Sequence, residues 1–351
     1  MTRLFELLIA IVIVLLLGVV FAVALPDHRH VERSVVVSSP ARLVFDVVDG
    51  FHTYPSWNPF QVYDPKTQLT YDGPAMGPGA TVNWYSNDDR VGNGSLTIVD
   101  NPPPEQDRSV TWAAKNNWTG DNKKFSIDLE PSENGKTVKV TMGYDVDYGW
   151  DLIGRISGLY LQGEPATQIQ IQLTRLQNML STFPNVDYSD QEIQVRDVAA
   201  VPVIYIPTTA KRNLDDIADA EDKALDLLRA TVKKDKLNVT GPARTITTNW
   251  GDQNYDFDVA LPIDNPDAAV TDPVVLGTGY EGKALATSFT GTAVQLPLSR
   301  LKLKAYAYTH GYLFDESSEG KGRFFDENTT TDPNAASDQQ TYTVYLPIQS
   351  Q

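Results

Sequence analysis

An unbroken apolar run from Leu7 to Leu25 (LLIAIVIVLLLGVVFAVAL) opens the chain and constrains everything after it. At about 1.5 Å rise per residue the run reaches roughly 28 Å, close to the hydrocarbon thickness of a bilayer, so a single helix can span it. Ala22-Val23-Ala24 also has the small-x-small pattern of a signal-peptidase site, and Arg3 supplies a weak positive flank. The run exceeds the usual signal core, and Pro26 lies just beyond the scissile bond. Residues 1–26 are therefore expected to be a retained transmembrane anchor, with a cleaved signal and a secreted product as the alternative. Flanking charges decide little, because Glu6 offsets Arg3 while Asp27, Arg29, Glu32 and Arg33 mix signs beyond the run. The expected location is a single pass in the inner (cytoplasmic) membrane, with the bulk in the periplasm or outside the cell.

The formal net charge of −16 argues against nucleic acid as a partner, since binding a polyanion needs a basic surface. With no cysteine, the chain has no disulfide, thiolate metal site or cysteine nucleophile, so packed cores must hold it together. His28, His30, His52 and His310 are scattered, which makes a histidine metal site improbable. No cofactor is expected.

Residues 31–183 read as strands closed by a helix. Val31 to Ser38 has strand character; Ser38-Ser39-Pro40 is a helix-start signal leading into a short helix over Ala41 to Val48. FHTYPSWNPF (51–60) is aromatic and punctuated by proline, which excludes a regular helix. Strands are expected at Ala80 to Ser86, Gly94 to Asp100, Ser109 to Lys115, Lys123 to Glu130 and Thr137 to Val146, separated by turn chemistry such as PSENGK. Ile169, Leu173, Leu176 and Leu180 recur at helical spacing over Pro165 to Met179, predicting an amphipathic helix laid across the sheet. Such a sheet, curved around a terminal helix, encloses a cavity wherever the facing side chains fail to fill it.

Pro40, Val44-Phe45 and Trp57-Asn58-Pro59-Phe60, in this order and spacing, resemble the early motif of the START-like superfamily of polyketide cyclase/dehydrase and lipid-transport proteins. The resemblance implies a helix-grip fold and a cup for a lipophilic ligand, and says almost nothing about which ligand. Trp57 and Trp84 are candidate pocket-lining residues; packing in the core is the competing role. Asp145, Asp147 and Asp151 lie near a strand end and read as a solvated face.

FPNVDYSDQEIQ is polar and opens the expected linker, 184–195. Beyond it, 196–351 repeats one pattern: a strand over Val198 to Ile206, a helix over Asn213 to Lys236, and strands at Ala243 to Thr248 and Tyr255 to Pro262. Strands then follow at Val274 to Tyr280 and Lys283 to Thr290, a helix over Pro297 to His310, and strands at Arg323 to Asn328 and Thr341 to Pro347. A duplicated βαββ unit sets two helices on one face of a sheet, with a cleft along the pseudo-twofold. The fold class is thus α+β: a helix-grip antiparallel sheet followed by a duplicated βαββ domain.

Val201 to Val203, Gly241-Pro242, Val259 to Pro262, Gly291 and Tyr345-Leu346-Pro347-Ile348, in this order, resemble the GyrI-like or effector-binding domain of drug-sensing regulators. In that family an E-x-Y-x-x-D-P motif sets a glutamate at the base of an aromatic cleft. Glu327 and Asp332-Pro333 hold the same spacing here, with Thr329 where tyrosine is usual. By resemblance Glu327 is the pocket carboxylate for cationic lipophiles; a solvated loop acid is the alternative. A carboxylate in a partly apolar cleft is costly unless a cation or hydrogen bonds compensate it. Trp250 and Phe325 are the aromatics singled out to touch ligand, with Tyr255 beside them as a further candidate.

Asn93, Asn117, Asn238 and Asn328 satisfy the N-x-S/T rule, which matters only in a eukaryotic secretory pathway. The expected function is a membrane-anchored binder of hydrophobic or amphipathic, cationic small molecules. Two alternatives stand: a cyclase, dehydratase or hydrolase using Glu327 as general base, and a scaffold engaging a protein partner.

Overall fold

The apolar run forms α1 (Thr2–Ala24), a single helix in the computed structural model. Its described side chains are exposed except at Ala22, which is 2% exposed. Residues 2–102, 108–133, 135–315, 323–331 and 335–349 are described, and the chain divides into two units, Met1–Asn185 and Val186–Gln351.

In the first unit β1 (His28–Val37) leads into α2 (Ala41–Val48), whose first turn starts at Pro40 as the helix-start signal predicts. The aromatic stretch resolves into two single turns, α3 (Tyr54–Trp57) and α4 (Phe60–Tyr63), divided at Asn58-Pro59. Asn58 is fully buried and makes this corner: its amide donates to Tyr54 O, and its Oδ1 accepts from Phe60 N, both at 3.0 Å. Then come β2 (Gln68–Asp72), β3 (Thr81–Tyr85), β4 (Asn93–Asp100), β5 (Ser109–Lys115), β6 (Asp121–Pro131) and β7 (Val138–Asp147). They form one antiparallel sheet in the order β1-β7-β6-β5-β4-β3-β2.

A short helix α5 (Leu152–Ser157) precedes α6 (Glu164–Leu180), which packs against β1, β7 and α3. Ile169, Leu173, Leu176 and Leu180 are all buried on one face of α6, so the helical spacing in the sequence marks the core side. On the sheet, alternation does the same work: Val110, Trp112 and Ala114 of β5 point inward while their neighbours are half-exposed.

The second unit contains β8 (Ile193–Val198), β9 (Pro202–Lys211), α7 (Leu214–Asp235), β10 (Arg244–Trp250), β11 (Asn254–Pro262), β12 (Val275–Thr278), β13 (Gly282–Thr290), α8 (Leu296–His310), β14 (Phe325–Asn328) and β15 (Thr341–Pro347). The sheet order is β12-β9-β11-β10-β14-β15-β13-β8, all neighbours antiparallel. The run β9-β11-β10 is mirrored by β13-β15-β14, so the two βαββ halves meet where β10 pairs with β14. Asn213 caps α7 by accepting the Asp216 N–H at 2.9 Å, and Lys236 ends it in the left-handed region at φ 53°.

Two expected elements differ. Val198 to Ile206 is not one strand: β8 ends at Val198, β9 begins at Pro202, and the two lie far apart in the sheet, β8 on its edge beside β13. Residues Ile193–Val195, within the stretch 184–195, are part of β8, and Tyr188 is 2% exposed with its hydroxyl 3.0 Å from Thr309 Oγ1.

Candidate functional site

In the first unit the cup is almost filled by its own side chains. A cavity of about 40 Å³ remains, lined by Tyr54, Phe60, Trp84, Trp112, Met142 and Ile169 among others. That is room for a few waters, not for a lipid. Trp84 is 5% exposed and stacks on Phe60 with ring centroids 4.6 Å apart; its indole donates to Val91 O at 3.3 Å. Trp57 does not line this cavity. It is 1% exposed and packed against Tyr54 and Trp112, with its indole N–H donating to Thr53 Oγ1 at 3.2 Å.

Beside the cup, Asp49 is buried behind the end of α2, where Asn101 donates to its Oδ1 at 2.8 Å. Burial pushes its carboxyl up from 3.8 to about 6, against the Asn101 hydrogen bond and with the nearby Asp46 adding to the rise. A folded-state value above the unfolded one means that folding takes up a proton between these limits, so stability falls as pH rises from about 3.8 to about 6. Asp49→Asn is expected to raise stability by about 2 kcal/mol near neutrality and by almost nothing below pH 4. Urea titration followed by tryptophan fluorescence checks this in the full chain, because every tryptophan except Trp250 lies in the first unit. Equal stabilisation at both pH values would show that Asp49 is not the titrating group.

In the second unit the candidates fall on opposite faces of the sheet. Arg244, Glu327 and Thr343 are cross-strand partners, as are Ile246, Phe325 and Tyr345, and these share the face turned away from α7 and α8. Tyr255 and its partner Trp250 belong to the helix-covered face, where Tyr255 stacks on Phe257 at 4.5 Å. Glu327 and Phe325 thus lie together, Tyr255 and Trp250 lie together, and the sheet separates the pairs.

Glu327 sits at the seam between the halves with both oxygens engaged. Arg244 places Nε and Nη2 at 2.9 and 2.8 Å from Oε1, and the Tyr345 hydroxyl donates to Oε2 at 3.0 Å. Phe325 is 3% exposed, stacked on Tyr345 at 4.4 Å and overlain by the Arg244 guanidinium at 5.6 Å. Gly279 permits the loop before β13 to pass over this pair, since a Cβ there would lie 2.9 Å from Arg244 Nη1. The compensation that Glu327 requires is therefore supplied inside the chain by arginine and tyrosine. Asp332 and Pro333 of the same motif lie outside the described residues.

On the helix-covered face Trp250 is 36% exposed beneath Arg212, 4.4 Å from the ring centroid. Tyr255 is buried, its hydroxyl 3.0 Å from Thr247 Oγ1 and accepting from Arg300 Nη2 at 3.2 Å. Arg300 of α8 is ion-paired with Asp326 of β14, and both are buried. Desolvation disfavours the Arg300 charge, but Asp326 and Tyr255 outweigh it and raise its pKa. Arg300 Nε and Asp326 Oδ1 have no partner among the described residues.

Next to this network a groove of about 740 Å³ opens between α7 and the turn before α8. Asp215, Glu221 and Asp222 stand on its α7 wall with Ile217 and Leu225; Ala293 and Val294 oppose them, over a floor that includes Asn328 and Tyr342. Arg229, also on the lining, lies 3.7 Å from Asp226. Glu221 accepts from Thr245 Oγ1 at 2.9 Å. Burial pushes its carboxyl above 4.5, against that hydrogen bond, and the charges of Asp326 and Asp222 add to the rise. The groove is not legible from residue order, because acids in the first turns of a helix are ordinary there, where the macrodipole favours them; the one signal in the sequence is that Glu221 falls on the same side as Ile217, Ala224 and Leu228.

No protein-family model matches the chain, and no curated protein does. Among solved structures, the EcmrR C-terminal domain is 11% identical over 45% of this chain and 98% of its own, with a TM-score of 0.39. A norcoclaurine synthase from Thalictrum flavum is 9% identical over 44% and 94%, with a TM-score of 0.34. A solution structure from Thermobifida fusca is 17% identical over 43% and 93%, with a TM-score of 0.34.

Proposed function

We propose that this protein is a membrane-tethered binder of amphipathic, cationic small molecules, which it takes up in the second unit outside the cytosol. The observation that carries the reading is the groove beside α7. Its volume lies within the few hundred to about 1,000 Å³ that drug-sized ligands occupy. Its wall combines three carboxylates with aliphatic and tyrosine surface, and such a lining favours a cation with an apolar body. The tether is Phe5–Ala24, whose apolar surface on all sides has no stabilising partner in water and finds one in hydrocarbon.

The cup of the first unit contributes packing in this reading rather than a ligand site. A general-base role for Glu327 is disfavoured, because both of its oxygens already accept from Arg244 and Tyr345. A second ligand position is favoured by one observation only, the stacked Phe325–Tyr345 pair beside that ion pair.

Calorimetric titration of the full chain in detergent micelles with tetraphenylphosphonium distinguishes the two. Binding in the groove is expected to weaken about tenfold when Glu221→Gln and Asp222→Asn are combined, and to be unchanged by Glu327→Gln. Affinity is expected to rise with pH above 4.5 as Glu221 loses its proton. Loss of binding in Glu327→Gln alone would move the site to the opposite face of the sheet. Equal affinity for a neutral molecule of the same shape would refute cation selection.

A further inference from the structure

The surface beside the end of α1 carries five large apolar side chains that nothing covers. Trp150, Ile153, Ile156, Leu159 and Tyr160 are 82%, 76%, 39%, 46% and 74% exposed, all within α5, the residue pair before it and the 3-10 turn after it (Gly158–Tyr160). Scattered exposed hydrophobics are ordinary in a water-soluble unit, but a contiguous group of this size in eleven residues is not.

This helix is not free to turn that face inward. A Cβ at Gly154 would lie 2.7 Å from the Tyr148 ring and one at Gly158 2.8 Å, so the glycine side presses directly on Tyr148 and the isoleucine side must face out. Arg155 fixes the element in a second way. Its Nη1 donates to Val23 O and Leu25 O, both at 2.9 Å, and its Nε donates to Gly149 O at 2.8 Å, with the guanidinium 5.6 Å from the Trp150 ring centroid. The guanidinium thereby serves one carbonyl in the last turn of α1 and one just beyond it, where a helix end leaves carbonyls without an intrahelical partner. Tyr148 N–H donates to Asp27 O at 2.7 Å, and the burial of Ala22 completes the joint.

We propose that Trp150–Tyr160 is a membrane-seating surface, lying in the lipid interface at the point where α1 leaves the bilayer. The occupant follows from continuity with α1: a patch bonded to the end of an apolar span sits at the depth of the headgroups. There tryptophan and tyrosine are favoured for their apolar bodies and polar tips, while isoleucines reach the acyl boundary. The proposal rests on reading Phe5–Ala24 as a membrane span. It also gives residues 22–24 a structural role in the folded unit, which a cleavage after Ala24 would remove.

The chain has no native cysteine, so single labels are unambiguous. Spin labels at Ile153→Cys and Tyr160→Cys are compared in phosphatidylcholine vesicles with one at Leu16→Cys inside α1 and one at Tyr85→Cys. Tyr85 is exposed on β3, five strands from β1. The expected result is collision with a water-soluble nickel chelate reduced several-fold at 153 and 160 relative to 85, with collision by dissolved oxygen raised. Nickel access at 153 and 160 equal to that at 85, with position 16 shielded, would leave the span standing and overturn the seating surface. Free nickel access at position 16 would overturn both.

Discussion

Trp112→Ala is expected to destabilise the first unit by about 4 kcal/mol and to open the cup to ligands. Trp112 is fully buried, its indole donating to Val48 O at 3.2 Å, and its ring lies within 6.0 Å, centroid to centroid, of those of Phe51, Tyr54 and Trp57. Three aromatic rings held by α3 and its flanking turns cannot all move into the space, so most of the indole volume stays empty. Joined to the existing 40 Å³, it makes a hole on the order of 150 Å³, large enough for a small aromatic whose N–H can replace the lost donor to Val48 O. Urea titration by tryptophan fluorescence measures the loss, and saturating indole is expected to restore about 1 to 2 kcal/mol through binding to the folded state alone. A loss below about 1 kcal/mol would mean that the walls collapse. No rescue by indole would mean that the cup is closed to ligands even when emptied.

The second large effect is at the buried ion pair. Arg300→Met is expected to cost about 3 to 5 kcal/mol, because Asp326 is then left charged and unpaired among apolar neighbours. Asp326 has no alternative donor: its Oδ1 is already without one among the described residues. Burial also pushes the Asp326 carboxyl up, against Arg300, so loss of the arginine drives it toward the neutral form and the penalty shrinks at low pH. Combining Arg300→Met with Asp326→Leu is expected to recover most of the loss, since an apolar pair of similar volume replaces the charges. Trp250, in ring contact with Tyr255 and the sole tryptophan outside the first unit, provides the fluorescence probe. Equal loss in the single and double variants would show that the cost is packing around Tyr255, not an orphaned charge.

Much of the architecture could be read from residue order. The helical spacing of Ile169, Leu173, Leu176 and Leu180 marks the buried face of α6, and the repeated strand–helix–strand–strand pattern marks the two halves that meet at β10 and β14. These follow from sequence because periodicity is a local property of one element. Strand β8 was hidden because its side chains are half-exposed to exposed and follow no alternation; backbone pairing with β13 holds it instead. Helix α5 was hidden because two glycines within a few residues lower helix propensity, and only contact with Tyr148 explains them.

The candidate site divides along the same line. That Tyr255, Phe325 and Glu327 lie in strands is legible from the chain; that β10 reaches Trp250, that β14 pairs with β10 and that the sheet separates the four residues into two pairs are matters of cross-strand pairing and register, which one residue of slip would reverse. Arg244 against Glu327 and Arg300 against Asp326 bridge 83 and 26 positions of sequence, and no local pattern announces either pair. Sequence alone therefore determined the apolar span, the order and type of most elements and the duplication, all of them consequences of composition and period. Only the tertiary structure decided that the tryptophan cup is filled, that Glu327 is already paired and that a groove opens beside α7. Those outcomes depend on which side chains meet across the fold and on how completely they exclude space between them.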